Sequence, residues 1–205
     1  HGSTVATHAI LEGKGAKTGM LVTNGFKYVL EIGRAEVPRK ENLYAWVKPR
    51  RPIPPRYILE VPERAELDGS ITQELDDAAC RAAAQRLRAL GIEAVAVVFL
   101  HAYVNASHER HALEILAEEL PGVELSASSD VLPVFREYER AMATALNASV
   151  QPLVGRYIDR LRAGLEDRAL NVPFYIMKSN GGVFSPEQAA KQSVEMALSG
   201  PAAGA

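Results

Sequence analysis

The sequence predicts an α/β chain in which helices flank a sheet, and three segments carry that prediction. Leu75 to Leu90 is a stretch whose apolar residues recur at helical spacing. The unbroken apolar run that follows it, residues 94–100, is typical of a strand buried on both faces. A second amphipathic helix from about Ser107 to Leu120 leads to another strand-like run, residues 122–128. Because helix and buried strand alternate, we expect residues 71–128 to contain a parallel βαβ unit.

The N-terminal part of the chain is predicted to form a helix, a strand and a second short helix. Apolar residues at helical spacing place the first helix between about Ser3 and Gly13. The apolar run at residues 17–23 is typical of a strand, and the short helix follows Gly25. This order adds a further helix and strand to the α/β pattern.

The next part is predicted to be a long loop followed by a hairpin. Prolines are interleaved with basic residues throughout residues 33–56, and proline at that density excludes regular structure. Residues 56–61 and 64–67, continued by residues 70–72, are expected to form an antiparallel hairpin with its turn at Asp68-Gly69.

A long helix and a short turn complete the predicted elements. Apolar residues keep a helical period from Arg136 to about Leu165, with Pro152 inside that stretch. We therefore expect a kink near residues 147–149, or two abutting helices. Residues 173–179 are typical of a strand, and the Asn180-Gly181-Gly182 segment of a tight turn.

Both ends of the sequence are interpreted as internal to a longer protein. The sequence does not begin with Met, and its first residues already combine hydroxyl groups with an apolar helical stripe. At the other end Ser199, Gly200 and Pro201 are typical of a helix start, but only four small residues follow them. A helix of that length does not sustain itself, so we expect more chain beyond it.

Composition excludes several classes of protein. With 23 Lys and Arg against 25 Asp and Glu, the net charge of −2 offers no bulk positive field for a nucleic-acid backbone. No apolar run approaches about 18 residues and no signal-peptide pattern opens the chain, so we expect no membrane span. The single cysteine, Cys80, excludes an internal disulfide and suits a reducing compartment, which predicts a cytoplasmic protein.

Two short motifs are candidate ligand sites. The Asn180-Gly181-Gly182 segment follows a predicted strand, where glycines allow a ligand to approach the backbone; a plain turn is the alternative. His1, Ser3 and Thr4 lie at the start of the first helix, where N–H groups favour anions; helix capping by one of the hydroxyls is the alternative.

Three histidines and one arginine are further candidates for a site. His101, His108 and His111 fall close together, and the last two have a spacing that can hold a metal. No carboxylate pattern of the zinc-hydrolase type surrounds them, so helix surface is the favoured interpretation and no metal site is predicted. Residues 136–140 are interpreted mainly as a solvated helix start, from which Arg140 is a candidate to point into a cleft.

Several strings of the sequence, taken in order, resemble the hydantoinase A and 5-oxoprolinase family. They are HGSTVATHAILEGKGAKTGMLVTNGFKYVLEIGR, AVVFLHAYVNASHER, REYERAMATALNASVQPLVGRY, SNGGV and LSGPAAGA. Relatives in that family include ATP-dependent N-methylhydantoinases and the large subunits of acetone and acetophenone carboxylases. The resemblance covers nearly the whole chain. It implies a fragment of an actin-like ATPase lobe, a ribonuclease-H-like α/β fold with a mixed sheet and flanking helices.

The resemblance also implies a division of the chain. Residues 1–145 resemble the C-terminal part of the hydantoinase/oxoprolinase N-terminal region, and residues 146–205 the start of the hydantoinase A domain, the second lobe. The family's two phosphate loops, Asp-x-Gly-Gly-Thr and Asp-x-Gly-Gly-Thr-Ser, do not occur in this sequence. We therefore expect ATP and Mg²⁺ to be cofactors of the whole protein, and no cofactor on this segment alone.

For function, the resemblance implies an enzyme that uses ATP to phosphorylate the carbonyl oxygen of a cyclic amide or imide of the hydantoin or 5-oxoproline type. A hydantoinase B-type partner subunit or domain is implied as well. The cleft is expected to contain His1, Gly2, Ser3, Thr4, Arg140, Asn180, Gly181, Gly182, Ser199, Gly200 and Pro201. Arg140 is the candidate for the substrate's carboxylate or carbonyl, and no catalytic base is assigned. Two alternatives stay open: a fragment of an ATP-dependent ketone carboxylase subunit, and an inactive α/β binding module.

Overall fold

The computed structural model of the chain describes residues 3–34, 40, 42, 44–47, 51–168, 173–197 and 199. Seven α-helices and eight strands lie in these ranges. The helices are α1 (Val5–Leu11), α2 (Val29–Ile32), α3 (Asp77–Ala89), α4 (Ser107–Glu119), α5 (Ser128–Val131), α6 (Glu137–Glu166) and α7 (Pro186–Lys191). The strands are β1 (Thr18–Thr23), β2 (Ile58–Val61), β3 (Arg64–Ala65), β4 (Ile71–Gln73), β5 (Ala94–Val98), β6 (Glu124–Ala127), β7 (Ile176–Met177) and β8 (Val183–Phe184).

A four-stranded parallel sheet, in the order β2-β1-β5-β6, organises the larger part of the chain. All five residues of β5 are buried, as the unbroken apolar run predicts, and the β5-α4-β6 unit is parallel as expected. From β1 the chain passes first to β2 on one side and later to β5 on the other. The order therefore reverses between the carboxyl ends of β1 and β5, which is where open α/β sheets usually bind ligands.

One predicted pairing is wrong. Residues 56–61 were expected in an antiparallel hairpin, but β2 pairs in parallel with β1, placing Ile58 beside Met20 and Val61 beside Thr23. The physical reason is burial, since Ile58 and Val61 both reach the core when β2 lies at the sheet edge. The hairpin itself is formed by β3 and β4, which join at the predicted Asp68-Gly69 turn. Gly69 has φ of +84° there, a conformation that favours glycine.

Helices cover both faces of the parallel sheet. On one face, α3 and α4 bury Leu87 and Leu116 against Val95 and Val97. On the other face, α2 and the first half of α6 pack on the sheet. The small side chains of Ala141, Ala145 and Ala148 allow α6 to approach the sheet closely. The lone thiol, Cys80, lies fully buried in the first of these clusters.

Helix α6 links the sheet to a second, smaller cluster. It is one continuous helix through Pro152, so the alternative of two abutting helices is not what forms. Its second half packs with α1, α7 and the β7-β8 hairpin around Val154 and Ile176. Asn147, fully buried, joins the two parts: its Nδ2 donates to Ser126 Oγ (3.0 Å) and its Oδ1 accepts from Val194 N (3.0 Å). The predicted division at residues 145 and 146 falls inside α6 and stays a prediction.

Within the described ranges, no helix combines the length and the apolar character that a bilayer span requires.

Candidate functional site

Ser3 and Ser199, at opposite ends of the chain, meet in the smaller cluster. Ser3 N donates to Ser199 Oγ at 3.2 Å, and Ser199 Oγ donates to Ser3 O at 2.9 Å. Both residues are buried. Ser3 Oγ also accepts from Val5 N at 3.3 Å, whereas Thr4, the N-cap of α1, is exposed and makes no side-chain cap bond. The capping alternative therefore applies to Ser3 alone.

The Asn180-Gly181-Gly182 turn closes the β7-β8 hairpin and lies next to the segment that leads to Ser199. Ser179 connects the two: its N–H donates to Glu195 O at 2.7 Å, and its hydroxyl lies within hydrogen-bond distance of two carbonyl oxygens, Glu195 O (2.6 Å) and Ala197 O, either of which can accept its proton. Three of the predicted site segments are thus joined by hydrogen bonds, namely the start of α1, this turn and Ser199.

The turn is held by hydrogen bonds among its own residues. Asn180 Oδ1 accepts from Gly182 N at 3.0 Å, and Gly181 N donates to Lys178 O at 3.1 Å. Gly181 has φ of +85°, so a side chain is disfavoured there. Nearby, Lys178 Nζ is paired with Glu195 at 2.7 Å. Because these donors are already engaged, the described part of the turn does not fit a phosphate cradle for ATP, and no step through the nucleotide is derived from it.

Arg140 lies elsewhere, at the carboxyl edge of the parallel sheet. It is 1% exposed although it belongs to the first turns of α6, whereas residues 136 and 137 are exposed and residues 138 and 139 half-buried, in line with the expectation that Arg140 differs from an otherwise solvated helix start. Its Nε and Nη1 are buried and have no hydrogen-bond partner among the described residues. The guanidinium carbon lies 5.6 Å from the centre of the Tyr103 ring. Burial lowers the pKa of Arg140, while the nearby carboxylate of Glu109 opposes that shift.

A buried polar chain crosses the same edge of the sheet, from β1 to the N-terminus of α4. The hydroxyl of Thr23, the last residue of β1, donates to Glu63 and accepts from Leu100 N at 2.8 Å. The other oxygen of Glu63 lies 2.8 Å from His108 Nδ1, and His108 Nε2 lies 3.4 Å from the exposed carboxylate of Glu74. Glu63 is 2% exposed, so this chain connects the interior to the surface.

A second buried carboxylate ties β5 to β6. Glu109 is fully buried, and it accepts from Phe99 N (2.9 Å), Ser128 Oγ (2.5 Å) and Ser129 N (2.8 Å). Burial raises the pKa of Glu109, and these donors act in the opposite direction. Glu63 and Glu109 therefore hold together the carboxyl ends of the four parallel strands.

The predicted site residues thus fall into two groups. Ser3, Thr4, Ser199 and the Asn180-Gly181-Gly182 turn belong to the smaller cluster, and Arg140 belongs to the sheet edge. His1, Gly2, Gly200 and Pro201 lie outside the described residues.

The histidines lie in different environments. His108 is 6% exposed, so the helix-surface interpretation is wrong for it, while His111 is exposed and pairs with Asp77 at 2.9 Å. The described part of the chain contains no group of three or more His, Cys, Asp or Glu residues arranged to hold a metal ion.

Sequence reasoning missed Glu63, His108 and Glu109 as one buried group. The available signal was that Thr23 ends one predicted strand, Glu63 comes two residues after another, and His108 and Glu109 follow a third. Parallel strands bring their carboxyl ends to one edge, so polar residues after several strands are expected to meet.

Two family models match this chain. Residues 1–120 match the hydantoinase/oxoprolinase N-terminal region, and residues 140–205 match the hydantoinase/oxoprolinase model. Among curated proteins, caprolactamase subunit alpha of Pseudomonas jessenii is 34% identical over 98% of this chain and 29% of its own length. 5-Oxoprolinase 1 of Arabidopsis thaliana is 29% identical over 99% of this chain and 17% of its own length. The chain therefore spans less than a third of these relatives.

Solved structures agree with the sequence matches. The crystal structure of ATP-dependent caprolactamase from Pseudomonas jessenii matches with a TM-score of 0.89 at 33% identity, over 98% of this chain and 29% of that one. Nucleotide-free acetone carboxylase matches with a TM-score of 0.88 at 24% identity, over 99% and 30%, and supports the fold alone. The predicted α/β class is confirmed, and these likenesses are consistent with an actin-like lobe. The chain belongs to the hydantoinase/oxoprolinase family.

Proposed function

We propose that the chain is part of an ATP-dependent hydrolase that opens a cyclic amide or imide by phosphorylating its carbonyl oxygen. The observation that carries the proposal is the match along 98% of this chain to caprolactamase subunit alpha of Pseudomonas jessenii. The solved caprolactamase structure from the same organism, which also matches, is of an ATP-dependent enzyme. In the proposed reaction the amide oxygen takes the γ-phosphoryl group and ADP leaves. One water then adds to the activated carbon and the C–N bond breaks, which leaves an acyl phosphate on the ring-opened chain. A second water adds to the same carbon, and phosphate departs with the original amide oxygen. The products are ADP, phosphate and the ring-opened acid.

We propose that this chain contributes residues that position the reacting groups in the cleft. Ser3, Thr4 and Ser199, with the Asn180-Gly181-Gly182 turn, are proposed to form one wall of the cleft. His1, Gly2, Gly200 and Pro201 are proposed with them. Support comes from the hydrogen bonds that join these segments around Ser179 and Ser199. ATP and Mg²⁺ are proposed to bind the whole protein, and the segment by itself is proposed to be inactive.

A ketone carboxylase subunit is the second candidate. It is favoured by the sequence likeness to the acetophenone carboxylase gamma subunit of Aromatoleum aromaticum, which is 30% identical over 89% of this chain and 26% of its own length. The third hypothesis, an inactive binding module, has no specific observation in its favour.

A partner subunit of the hydantoinase B type is part of the proposal. Its support is that the caprolactamase relative is itself named as a subunit. We also propose that the protein works in the cytoplasm, where the one cysteine of this chain stays reduced.

The test is a substrate panel with the full-length protein and its co-expressed partner. Hydantoin, 5-oxoproline and caprolactam are each offered with Mg-ATP, and acetone is offered with Mg-ATP and bicarbonate. The proposal expects ring-opened acid and phosphate in equal amounts, and no ring opening without ATP. Carboxylation of acetone with no ring opening of any amide would favour the second candidate instead.

A further inference from the structure

Asn147 lies on α6 at the place where the helix passes from one hydrophobic cluster to the other. Ala148 belongs to the cluster on the parallel sheet, and Val150 belongs to the smaller cluster. Asn147 itself is fully buried. A polar side chain in that position has to find its partners inside the protein, so its hydrogen bonds determine which parts of the chain it joins.

The side-chain amide of Asn147 uses both of its hydrogens and its oxygen, and its partners belong to both parts of the molecule. Nδ2 donates to Ser126 Oγ in β6 at 3.0 Å and to the main-chain oxygen of Lys191, the last residue of α7, at 2.9 Å. Oδ1 accepts from Val194 N at 3.0 Å, in the turn of 3-10 helix at Ser193–Met196. Because a carbonyl oxygen only accepts and a main-chain N–H only donates, the two ends of the amide cannot be exchanged.

The 3-10 turn that Asn147 holds is joined to the proposed cleft wall. The carbonyl oxygen of Glu195, within that turn, accepts from Ser179 N at 2.7 Å. Ser179 directly precedes the Asn180-Gly181-Gly182 turn. The same segment continues to Ser199, which holds the start of α1. Asn147 is therefore connected through main-chain hydrogen bonds to the segments that are proposed to form the wall.

Apolar packing by itself does not fix the position of this segment. Met196, the last residue of the 3-10 turn, is fully buried in the smaller cluster, but contacts between apolar side chains have no preferred direction. A hydrogen-bonded amide fixes a distance and a direction together. A further link, from Gln192 Nε2 to Asp130 O, is longer at 3.3 Å and exposed to water. The amide of Asn147 is thus the buried, directional link between the segment and the sheet.

Gln151, one turn further along α6, provides an internal comparison. It is also buried, and its Oε1 accepts from Ser126 Oγ at 2.6 Å while its Nε2 donates to Glu124 Oε2 at 3.1 Å. Both of these partners lie in β6. The hydrogen bonds of Gln151 thus join α6 to the sheet, whereas those of Asn147 also reach the smaller part of the molecule.

We propose that Asn147 is a positioning residue, whose amide sets the place of the cleft wall relative to the parallel sheet during turnover. The inference rests on the proposed function for the reaction that is measured, and on the hydrogen bonds alone for the link itself. Reacting groups on the wall have to face groups held by the rest of the protein. A small displacement of one against the other lowers the rate of the chemical step more than it weakens substrate binding.

The first measurement is amide hydrogen exchange of the full-length protein with its partner, without substrate. Asn147→Ala removes the acceptor of Val194 N and is expected to speed exchange in the peptides that cover residues 176–181 and 192–197. Gln151→Ala is the matched control, because it removes two buried hydrogen bonds to β6, and it is expected to leave these peptides unchanged. Asn147→Asp keeps an oxygen for Val194 N, so exchange is expected to be slower there than in Asn147→Ala.

The second measurement is the rate of ring opening with Mg-ATP and the substrate that the panel identifies, with melting temperatures recorded. Asn147→Ala is expected to lower kcat about tenfold or more and to change KM by less than about threefold. Asn147→Asp is expected to recover part of kcat, although a buried carboxylate lowers stability. Gln151→Ala is expected to lower the melting temperature and to leave kcat of the folded protein unchanged. Under a purely structural role, kcat of the folded protein would be unchanged in all three variants.

Unchanged exchange at residues 192–197 in Asn147→Ala overturns the link. Faster exchange with an unchanged kcat, or equal losses of kcat in Asn147→Ala and Gln151→Ala, overturns the positioning role. If Asn147→Ala does not fold, Asn147→Asp takes its place in this comparison, and a kcat equal to that of Gln151→Ala overturns the role.

The failure of the inference and the failure of the proposed function are distinguishable. In each case above, ring opening by the wild type leaves the proposed function standing. If the wild type opens no cyclic amide, the proposed function fails and the positioning role in that reaction fails with it. The exchange data then still decide whether Asn147 holds the segment, because they require no substrate.

Discussion

Ser199 Oγ accepts a hydrogen bond from Ser3 N and donates one to Ser3 O, although 196 residues separate the two in the sequence. One hydroxyl thus satisfies both main-chain groups of a buried residue. The contact fixes the start of α1 against the segment that follows the Ser193–Met196 turn of 3-10 helix. It links the first and last described parts of the proposed cleft wall.

Ser199→Ala is expected to destabilise the protein by about 1–3 kcal/mol, because it leaves the N–H and carbonyl of Ser3 buried without partners. Chemical denaturation of the full-length protein measures the change. Thr4→Ala is the matched control, since the exposed Thr4 side chain makes no cap bond. Equal effects of the two substitutions would show that the Ser3 and Ser199 contact adds nothing to stability.

Val97→Asp is expected to prevent folding. Val97 is fully buried in β5, and an unpaired carboxylate there costs several kcal/mol, comparable with the total stability of a domain. Soluble yield and the cooperativity of thermal unfolding provide the measurement. Val104→Asp introduces the same group at a position that is 46% exposed and is expected to be tolerated. A soluble, cooperatively folded Val97→Asp protein would contradict the inner position of β5.

Cys80 is expected to react slowly with thiol reagents at pH 8 in the native protein and rapidly after denaturation. Burial raises the pKa of its thiol to about 11, about two units above that of an exposed thiol, so the folded state favours the protonated thiol. The contribution of Cys80 to stability is therefore complete below pH 9 and falls as the pH rises toward 11. Stability measured across this window should fall less in Cys80→Ala. Rapid labelling of the native wild type would contradict the assigned burial.

The 205-residue chain by itself is expected to bind Mg-ATP too weakly for calorimetric titration to detect. The family's phosphate loops are absent from its sequence, and the N–H groups of Gly181 and Gly182 already have acceptors. Thermal unfolding first establishes that the chain is folded. Micromolar binding would show that the nucleotide site has been placed wrongly.

Asn180→Ala is expected to lower turnover by the full-length enzyme tenfold or more, about 1.4 kcal/mol in transition-state stabilisation, with little change in melting temperature. The exposed position of Asn180 supports the small thermal effect. Asn180→Asp is the informative companion, because it keeps the oxygen that accepts from Gly182 N but loses the amide donor. Gly182→Val is expected to abolish activity through crowding against Asn180 Oδ1.

If Asn180→Asp retains full turnover while Asn180→Ala does not, the turn geometry rather than the amide is what matters. If Asn180→Ala shifts the melting temperature and leaves turnover of the folded protein unchanged, the turn is not part of the site.

The sequence correctly predicted the elements whose apolar pattern lies entirely within their own residues. The apolar run of β5 and the spacing of apolar residues in α3 and α4 each specify an element without reference to distant residues. Strand β2 was misassigned because its pairing partner, β1, lies some forty residues away, and nothing within residues 56–61 distinguishes parallel from antiparallel pairing.

The buried polar groups were the harder part of the site to predict. Arg140 and His108 both lie at helix starts, where charged residues usually face solvent, and their burial depends on contacts across the sheet edge. Glu63 reaches Thr23 across 40 residues and His108 across 45. By contrast, the Asn180-Gly181-Gly182 turn was recognisable as a turn because its geometry is confined to neighbouring residues.

Helix α6 is one continuous element that packs in both parts of the molecule. Arg140 packs at the sheet edge and Ile158 packs in the smaller cluster, about 27 Å further along the helix axis at 1.5 Å per residue. A rigid tilt of about 5° at the Arg140 end would displace the far end by about 2 Å. Pro152 lies between them and does not interrupt the helix, although it lacks an N–H for the helical ladder. We therefore expect a displacement at the start of α6 to reach the cluster in which α1 and the β7-β8 hairpin pack.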